Sequence, residues 1–75
     1  MDIKYKIGIE FRRLRIEKTG LSQDDFARSL GYDKSYISRI ESGKQNLTID
    51  TIQILCNALN ITIQDLFRQI EVDEK

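Results

Sequence analysis

Four side chains that donate hydrogen bonds lie close together near the middle of the sequence. Their spacing of i, i+1, i+4 and i+5 places them on one face of a helix, at about 100° per residue. Arginine can pair with guanine through two hydrogen bonds, lysine can reach guanine or phosphate, and serine adapts to several partners. Such a face suits the major groove of DNA, although an ordinary solvated face explains these residues equally well. The four are Lys34, Ser35, Ser38 and Arg39.

The helix that would present these donors is predicted over residues 33–42. Asp33 is a favourable residue for its N-cap, and Gly43 is a favourable residue just beyond its end. Ile37 and Ile40 fall on the side opposite the donors, where they would anchor the helix in a core. One face therefore packs and the other stays available.

A second short helix precedes this one, and a tight turn joins them. Ser22 can cap the earlier helix, with Asp25 completing a pair similar to a capping box. Ala27 is small enough for two helices to cross closely, and Gly31 can adopt the positive φ of the turn. Residues 22–42 are therefore predicted to form a helix-turn-helix.

Four separated segments follow one another in the chain: KIGIEFRRLR, GLSQDDFA, SYISRIESGK and LTIDTIQILCNALNITIQDLF. Their order and spacing, over about residues 6–70, are similar to those of one known family. The chain thus resembles the lambda-repressor-like (Xre-type) helix-turn-helix family, and within it stand-alone regulators such as restriction-modification controller proteins. The resemblance implies an all-α, compact five-helix domain that binds double-stranded DNA and regulates transcription.

The resemblance also implies roles for individual residues. In the family, an arginine at the position of Arg15 commonly pairs with a glutamate at the position of Glu41, which predicts a structural ion pair. The glutamine at the start of the second helix and the loop after the recognition helix commonly contact the DNA backbone. For each of these residues, simple solvation or packing is the alternative. The predicted backbone contacts are Gln23, Tyr32, Tyr36, Lys44, Gln45, Asn46 and Arg12.

Apolar residues at helical spacing predict three further helices. One spans about residues 7–18, a fourth begins after the capping residue Thr48, and a fifth begins at Thr62 and runs through Ile70. The predicted organisation is a lead over residues 1–6, which could extend the first helix, a helix-turn-helix domain over residues 7–70 and a polar tail over residues 71–75.

The region of the fifth helix carries more apolar side chains than one face of a short helix needs. Some of them could form a two-fold contact between copies of the chain, as in many members of the family. The alternative is that they only close the core of the monomer. These candidate dimer residues are Ile61, Ile63, Leu66, Phe67 and Ile70.

The overall charge does not favour nucleic acid. Twelve basic and twelve acidic residues give a net charge of zero, and the isoelectric point is about 6.2. The charges are unevenly distributed, however, because residues 1–20 carry six basic and three acidic side chains, whereas residues 48–75 carry two and five. A dipolar chain of this kind is compatible with DNA binding. An interaction module or antitoxin component with the same fold is the alternative.

Composition argues against several other classes of protein. The sequence has no histidine and one cysteine, so histidine-ligated or thiolate metal sites and an internal disulfide are not expected. No phosphate-binding glycine loop, signal peptide or membrane span is evident. We therefore expect no catalytic residues, cofactor, metal, small-molecule ligand or contact with a membrane. We also expect a cytoplasmic homodimer whose activity is controlled by its own concentration.

Overall fold

The computed structural model describes residues 2–73, which form a chain of five helices without a strand. The predicted all-α, five-helix fold is therefore confirmed. No helix in this range is both long enough and apolar enough to cross a membrane. The helices are α1 (Ile3–Thr19), α2 (Gln23–Leu30), α3 (Lys34–Glu41), α4 (Ile49–Ala58) and α5 (Ile63–Asp73).

Hydroxyl side chains cap three of the helices, as the sequence predicts. In each case the oxygen accepts a hydrogen bond from a backbone amide three residues later, which satisfies one of the unpaired donors of the first turn. The amide of Asp25 donates to Ser22 Oγ at 3.1 Å, that of Thr51 to Thr48 Oγ1 at 3.1 Å, and that of Asp65 to Thr62 Oγ1 at 3.0 Å.

The start of α3 differs from this pattern. Asp33 occupies the N-cap position with an extended backbone, but its side chain makes no capping hydrogen bond. The first turn is closed instead by the backbone oxygen of Asp33, which accepts from the amides of Tyr36 at 3.1 Å and Ile37 at 3.4 Å. Asp33 is therefore the N-cap residue, as predicted, although its carboxylate makes no capping hydrogen bond.

The first and last helices are longer than predicted. The first begins at Ile3 rather than near residue 7, because the Asp2 carboxylate accepts a hydrogen bond from the Lys4 amide at 2.8 Å and caps an earlier turn. The last continues to Asp73 rather than ending at Ile70. Residues 74–75 of the predicted polar tail lie outside the described residues.

The core is formed by apolar side chains from all five helices. Burying each large aliphatic side chain contributes about 1.5–3 kcal/mol of stability relative to leaving it in water. Since α3 contributes side chains to this cluster, the same burial fixes the position of α3. Its members include Phe11, Leu14, Phe26, Ala27, Ile37, Ile40, Ile52, Leu55, Cys56, Leu59, Leu66 and Ile70.

A glycine in the middle of α1 sets the distance between α1 and α3. A Cβ atom on Gly8 would lie 2.4 Å from the carbonyl oxygen of Ile40 and 2.8 Å from that of Glu41. Both distances are shorter than any ordinary carbon–oxygen contact, so only glycine fits here without displacing the backbone. Helix α1 therefore crosses directly over the C-terminal end of α3.

Candidate nucleic-acid interface

Helices α2 and α3 form the predicted helix-turn-helix. Ala27 and Ile37 are both buried where the two helices cross. Gly31 adopts the left-handed conformation with φ 76°, and the amide of Tyr32 donates to the carbonyl of Ala27 at 2.8 Å to close the turn. The small residue, the glycine and the core isoleucine thus have the roles that their types and spacing predict.

The outer face of α3 carries the four predicted donors. Lys34 and Ser35 are exposed in its first turn and Arg39 is exposed in its last turn, whereas Ser38 is half-buried. Ile37 and Ile40 lie on the opposite side, within the core. The face therefore offers two cations and a hydroxyl on a helix whose orientation is fixed by packing.

A buried ion pair joins α1 to the end of α3. Arg15 Nε donates to Glu41 Oε2 at 2.8 Å and Arg15 Nη2 donates to Glu41 Oε1 at 3.0 Å. The two side chains are only 7% and 4% exposed. A planar guanidinium matches a carboxylate in this two-bond arrangement, which makes the pair both strong and directional. The structure thus contains the ion pair predicted between these residues.

Two further contacts extend this ion pair towards α2. Arg15 Nη1 donates to the backbone oxygen of Leu21 at 2.6 Å, and Gln23 Nε2 donates to Glu41 Oε1 at 3.0 Å. Among the side chains of residues 2–70, no buried nitrogen or oxygen lacks a partner. The side chain of Gln23, predicted to contact a phosphate, is therefore partly used inside the protein. This contact could not be predicted from residue spacing, because 18 residues separate Gln23 from Glu41.

A second polar network surrounds Arg39. Its Nε donates to Gln45 Oε1 at 2.9 Å, and its guanidinium carbon lies 5.8 Å from the centre of the Tyr36 ring. The Tyr36 ring in turn lies 4.9 Å from that of Tyr32, at an interplanar angle of 59°. Both tyrosines are half-buried. A shallow cleft of about 360 Å³ runs along this cluster, lined by Gly31, Tyr32, Asp33, Tyr36 and Arg39.

The loop that follows α3 is held by contacts from two sides. The Lys44 amide donates to the Arg39 carbonyl at 2.9 Å, while the Lys44 side chain is exposed. Lys4 Nζ donates to Asn46 Oδ1 at 3.2 Å, and Gln45 Nε2 donates to the Asn46 backbone oxygen at 3.3 Å. The start of α1 is therefore joined to this loop, a contact that the sequence did not predict.

Arg12 lies in a groove between α1 and the end of α3. It is exposed on α1, and the groove of about 720 Å³ that it lines reaches Glu41 and Ser42 at the C-terminal end of α3. Tyr5, Ile9 and Ile16 lie in the same groove.

The candidate dimer residues divide into two groups. Leu66 and Ile70 are 0% and 4% exposed because they close the monomer core, which is the alternative role stated for them and leaves them little surface for a second chain. Ile61, Ile63 and Phe67 are half-buried and keep some accessible surface. Two isoleucines of α4 that are not among these candidates are more exposed, Ile49 at 66% and Ile54 at 44%.

Cys56 lies inside the core and is not a reactive site. Its side chain is fully buried, and burial raises the pKa of its thiol because a thiolate loses hydration there. Among the side chains that the structure describes, those of residues 2–70, no group of three or more histidine, cysteine or acidic residues is arranged to hold a metal ion.

Comparisons with known proteins agree with this geometry. The helix-turn-helix family model matches residues 11–66. Control protein C.MunI of Mycoplasma sp is 41% identical over 70 residues, which cover 93% of this chain and 95% of that protein. The controller protein C.AhdI of Aeromonas hydrophila superimposes with a TM-score of 0.73 at 39% identity, over 83% of this chain and 88% of that one. A third similar structure is that of the controller protein C.Esp1396I tetramer in complex with its natural 35 base-pair operator. It superimposes with a TM-score of 0.78 at 28% identity, over 93% of this chain and 91% of that one.

Proposed function

The chain belongs to the helix-turn-helix family, and we propose that it is a sequence-specific regulator of transcription that binds operator DNA as a homodimer. One observation carries the proposal: the donor face of α3 is exposed while its opposite face is fixed in the core. A recognition helix needs both properties, because the bases are read by side chains whose position the fold determines.

Base reading is assigned to the exposed face of α3. In the major groove, Arg39 can form two hydrogen bonds with the O6 and N7 atoms of guanine, and Lys34 can reach a guanine or a phosphate. Ser35 lies in the first turn of the helix, which in this class of domain enters the groove. Ser38 is half-buried, so we assign it a smaller part.

Contacts with phosphates are assigned to the two sides of α3. Lys44 is exposed in the following loop, and Asn46 lies beside it. The first turn of α2, where Gln23 lies, offers backbone amides and the positive end of a helix dipole. Such contacts fix the register of the protein on the duplex and make binding depend on salt.

The buried network gives this surface its rigidity. Arg15 binds Glu41 of α3, Gln23 of α2 binds the same carboxylate, and Arg15 also binds the backbone between α1 and α2. Three helices are therefore joined at one point. We infer that this junction keeps the first turn of α2 and the outer face of α3 at a fixed separation.

The dimer contact is assigned to the apolar surface of α4 and α5 that the monomer leaves accessible. Ile63 and Phe67 lie one helical turn apart on α5, and Ile54 is exposed on α4. A two-fold contact would present two copies of α3 to half-sites about 34 Å apart. The controller protein C.Esp1396I, which shares the fold, binds its operator as a tetramer, and this supports an oligomeric mode of binding.

Within this function, a controller role is the best supported. The chain aligns with 95% of the length of control protein C.MunI. We propose that occupancy of the operator follows the concentration of the protein itself, through the equilibrium between monomer and dimer. We also propose that the protein has no catalytic activity and acts in the cytoplasm, since the family comprises DNA-binding regulators and the one cysteine is buried.

An interaction module or antitoxin component with the same fold is the alternative. The zero net charge and the acidic residues Asp24 and Asp25 in the first turn of α2 favour it. Salt separates the two functions: binding that neutralises several phosphates weakens steeply as salt is raised, whereas most protein contacts weaken less.

Selection of bound duplexes from a random DNA pool tests the proposal. We expect the purified protein to enrich a two-fold-related motif with half-sites about one helical turn apart. A single asymmetric half-site would contradict the dimer but retain DNA reading. No enrichment by the folded protein would contradict the proposed function and favour the interaction module.

A further inference from the structure

The side chain of Arg39 is held from two sides although it lies on the surface. Arg39 Nε donates to Oε1 of Gln45, in the loop after α3, at 2.9 Å. The centre of the Tyr36 ring lies 5.8 Å from the guanidinium carbon of Arg39. An exposed arginine otherwise samples many rotamers. These two contacts restrict Arg39 before any ligand is bound.

The contact with Gln45 leaves the end of the guanidinium free. Among the described side chains, those of residues 2–70, Arg39 makes one side-chain hydrogen bond, the one to Gln45. It uses Nε and leaves both terminal nitrogens, which are the donors needed for a paired contact with the O6 and N7 atoms of guanine. Gln45 thus occupies the side of the guanidinium that an end-on contact does not use.

Gln45 is itself oriented by its neighbours. Its Nε2 donates to the backbone oxygen of Asn46 at 3.3 Å, which directs Oε1 towards Arg39. The amide of Lys44 donates to the carbonyl of Arg39 at 2.9 Å and ties the loop to the end of α3. Both polar groups of the Gln45 side chain therefore make contacts within the protein, and one N–H of its Nε2 stays available for the phosphate contact predicted from the sequence.

We propose that Gln45 is a positioning residue for Arg39, which fixes the guanidinium so that its terminal nitrogens face a guanine edge. The inference rests on the proposed function, which supplies the DNA. Discrimination at the base pair read by Arg39 then depends on a loop residue that does not touch that base pair. Ordering a long side chain in advance removes part of the entropy lost on binding.

A double-mutant cycle tests this dependence. Arg39→Ala first identifies the base pair at which preference is lost, using the operator recovered by selection. We expect Gln45→Ala to reduce preference at that same position by about two- to tenfold, the range for ordering one long side chain. In the Arg39→Ala background, Gln45→Ala should change Kd by less than about twofold, because the residue it positions is gone.

Lys44→Ala provides the matched control, since Lys44 is the neighbouring loop residue and its side chain is exposed. Its effect should be uniform over base pairs and additive with Arg39→Ala. Circular dichroism melting of every variant checks that the fold is retained. A Gln45→Glu variant keeps an acceptor for Arg39 and should retain the preference at that base pair, although the added charge weakens affinity for every sequence.

Three results would overturn the inference. Additive, position-independent loss in Gln45→Ala would make Gln45 a phosphate contact only. Tighter binding by Gln45→Ala would mean that the contact opposes DNA binding. If the wild-type protein selected no sequence at all, both the proposed function and this inference would be overturned. If the wild-type protein bound selectively but the effects of the Arg39 and Gln45 substitutions were additive, only the positioning role would be overturned.

Discussion

Arg15 and Arg39 show two uses of the same side chain on either side of α3. The Arg15 side chain is 7% exposed and donates three hydrogen bonds within the protein, two to Glu41 and one to the Leu21 backbone. Arg39 is exposed and gives one hydrogen bond to Gln45. The comparison shows that the number of guanidinium donors consumed by the protein separates a residue that stabilises the fold from one available to a ligand.

Burial makes the energies of the two networks very different. Removing one partner of a buried ion pair leaves the other charge without solvent or partner, at a cost of about 3–5 kcal/mol. Removing one exposed hydrogen bond changes stability by about 0.5–1.5 kcal/mol at most, because water replaces the lost partner. Variants in the first network should therefore unfold the domain, and variants in the second should alter what it binds.

The largest expected effect is that of Glu41→Ala. The variant leaves Arg15 buried without its carboxylate and removes the acceptor of Gln23. We expect the free energy of unfolding to fall by about 3–5 kcal/mol, measured by urea denaturation followed by circular dichroism. Glu17→Ala is the control, since Glu17 forms an exposed ion pair on α1 and should cost about 1 kcal/mol or less. Equal losses in the two variants would contradict the distinction drawn between the networks.

Gly8→Ala should disturb the buried network from the side of the backbone. The added Cβ would lie 2.8 Å from the carbonyl oxygen of Glu41 and closer still to that of Ile40. We expect a loss of about 1–3 kcal/mol in unfolding free energy from overpacking. Thermal and urea unfolding measure it. Helix propensity alone predicts the opposite sign, a gain of about 1 kcal/mol, so a stabilised variant would show that α1 can shift away from α3.

Arg39→Ala should leave the fold unchanged and impair recognition. Because Arg39 makes no buried contact, we expect its unfolding free energy to stay within about 0.5 kcal/mol of wild type. Operator affinity should fall by about 1–3 kcal/mol, with specificity relaxed at one base pair. Titration of the operator and of its single-base variants measures both quantities. A uniform loss over all sequences would show that Arg39 contacts phosphate rather than a base.

Lys44→Ala should have the smallest and least selective effect. Its side chain is exposed beside the Arg39 network, and we expect it to neutralise one phosphate. Binding should weaken for every sequence, and the slope of log K against log salt should decrease in size by about 1. Affinities measured at several salt concentrations check this. A change confined to one base pair would assign Lys44 to base reading instead.

Local rules predicted much of the helix-turn-helix. Ser22 caps α2, Gly31 provides the positive φ of the turn, and Ile37 anchors α3, all as residue type and spacing indicate. The ion pair between Arg15 and Glu41 was predicted from the resemblance to a family. Spacing could not predict it, because the two residues are 26 positions apart in the sequence.

Contacts that depend on packing were not predictable in this way. From the sequence, Gly8 is only a residue of low helix propensity. Its role in the close packing of α1 is evident once α3 lies against it. Gln23 and Gln45 look like solvated side chains until Glu41 and Arg39 are seen beside them. The apolar pattern alone is compatible with Leu66 in a dimer contact or in the monomer core. The packing of α5 against α1 buries it in the core.

The burial of Cys56 gives the protein an internal reporter of opening. It is the one thiol in the sequence, it has no exposed surface, and its raised pKa keeps it protonated at neutral pH. An alkylating reagent reaches it after the core opens, so the labelling rate follows the population of opened molecules. Operator DNA that binds the closed domain should slow labelling in proportion to its occupancy. Mass spectrometry of the unlabelled fraction would thus measure folding and binding together in an unmodified chain.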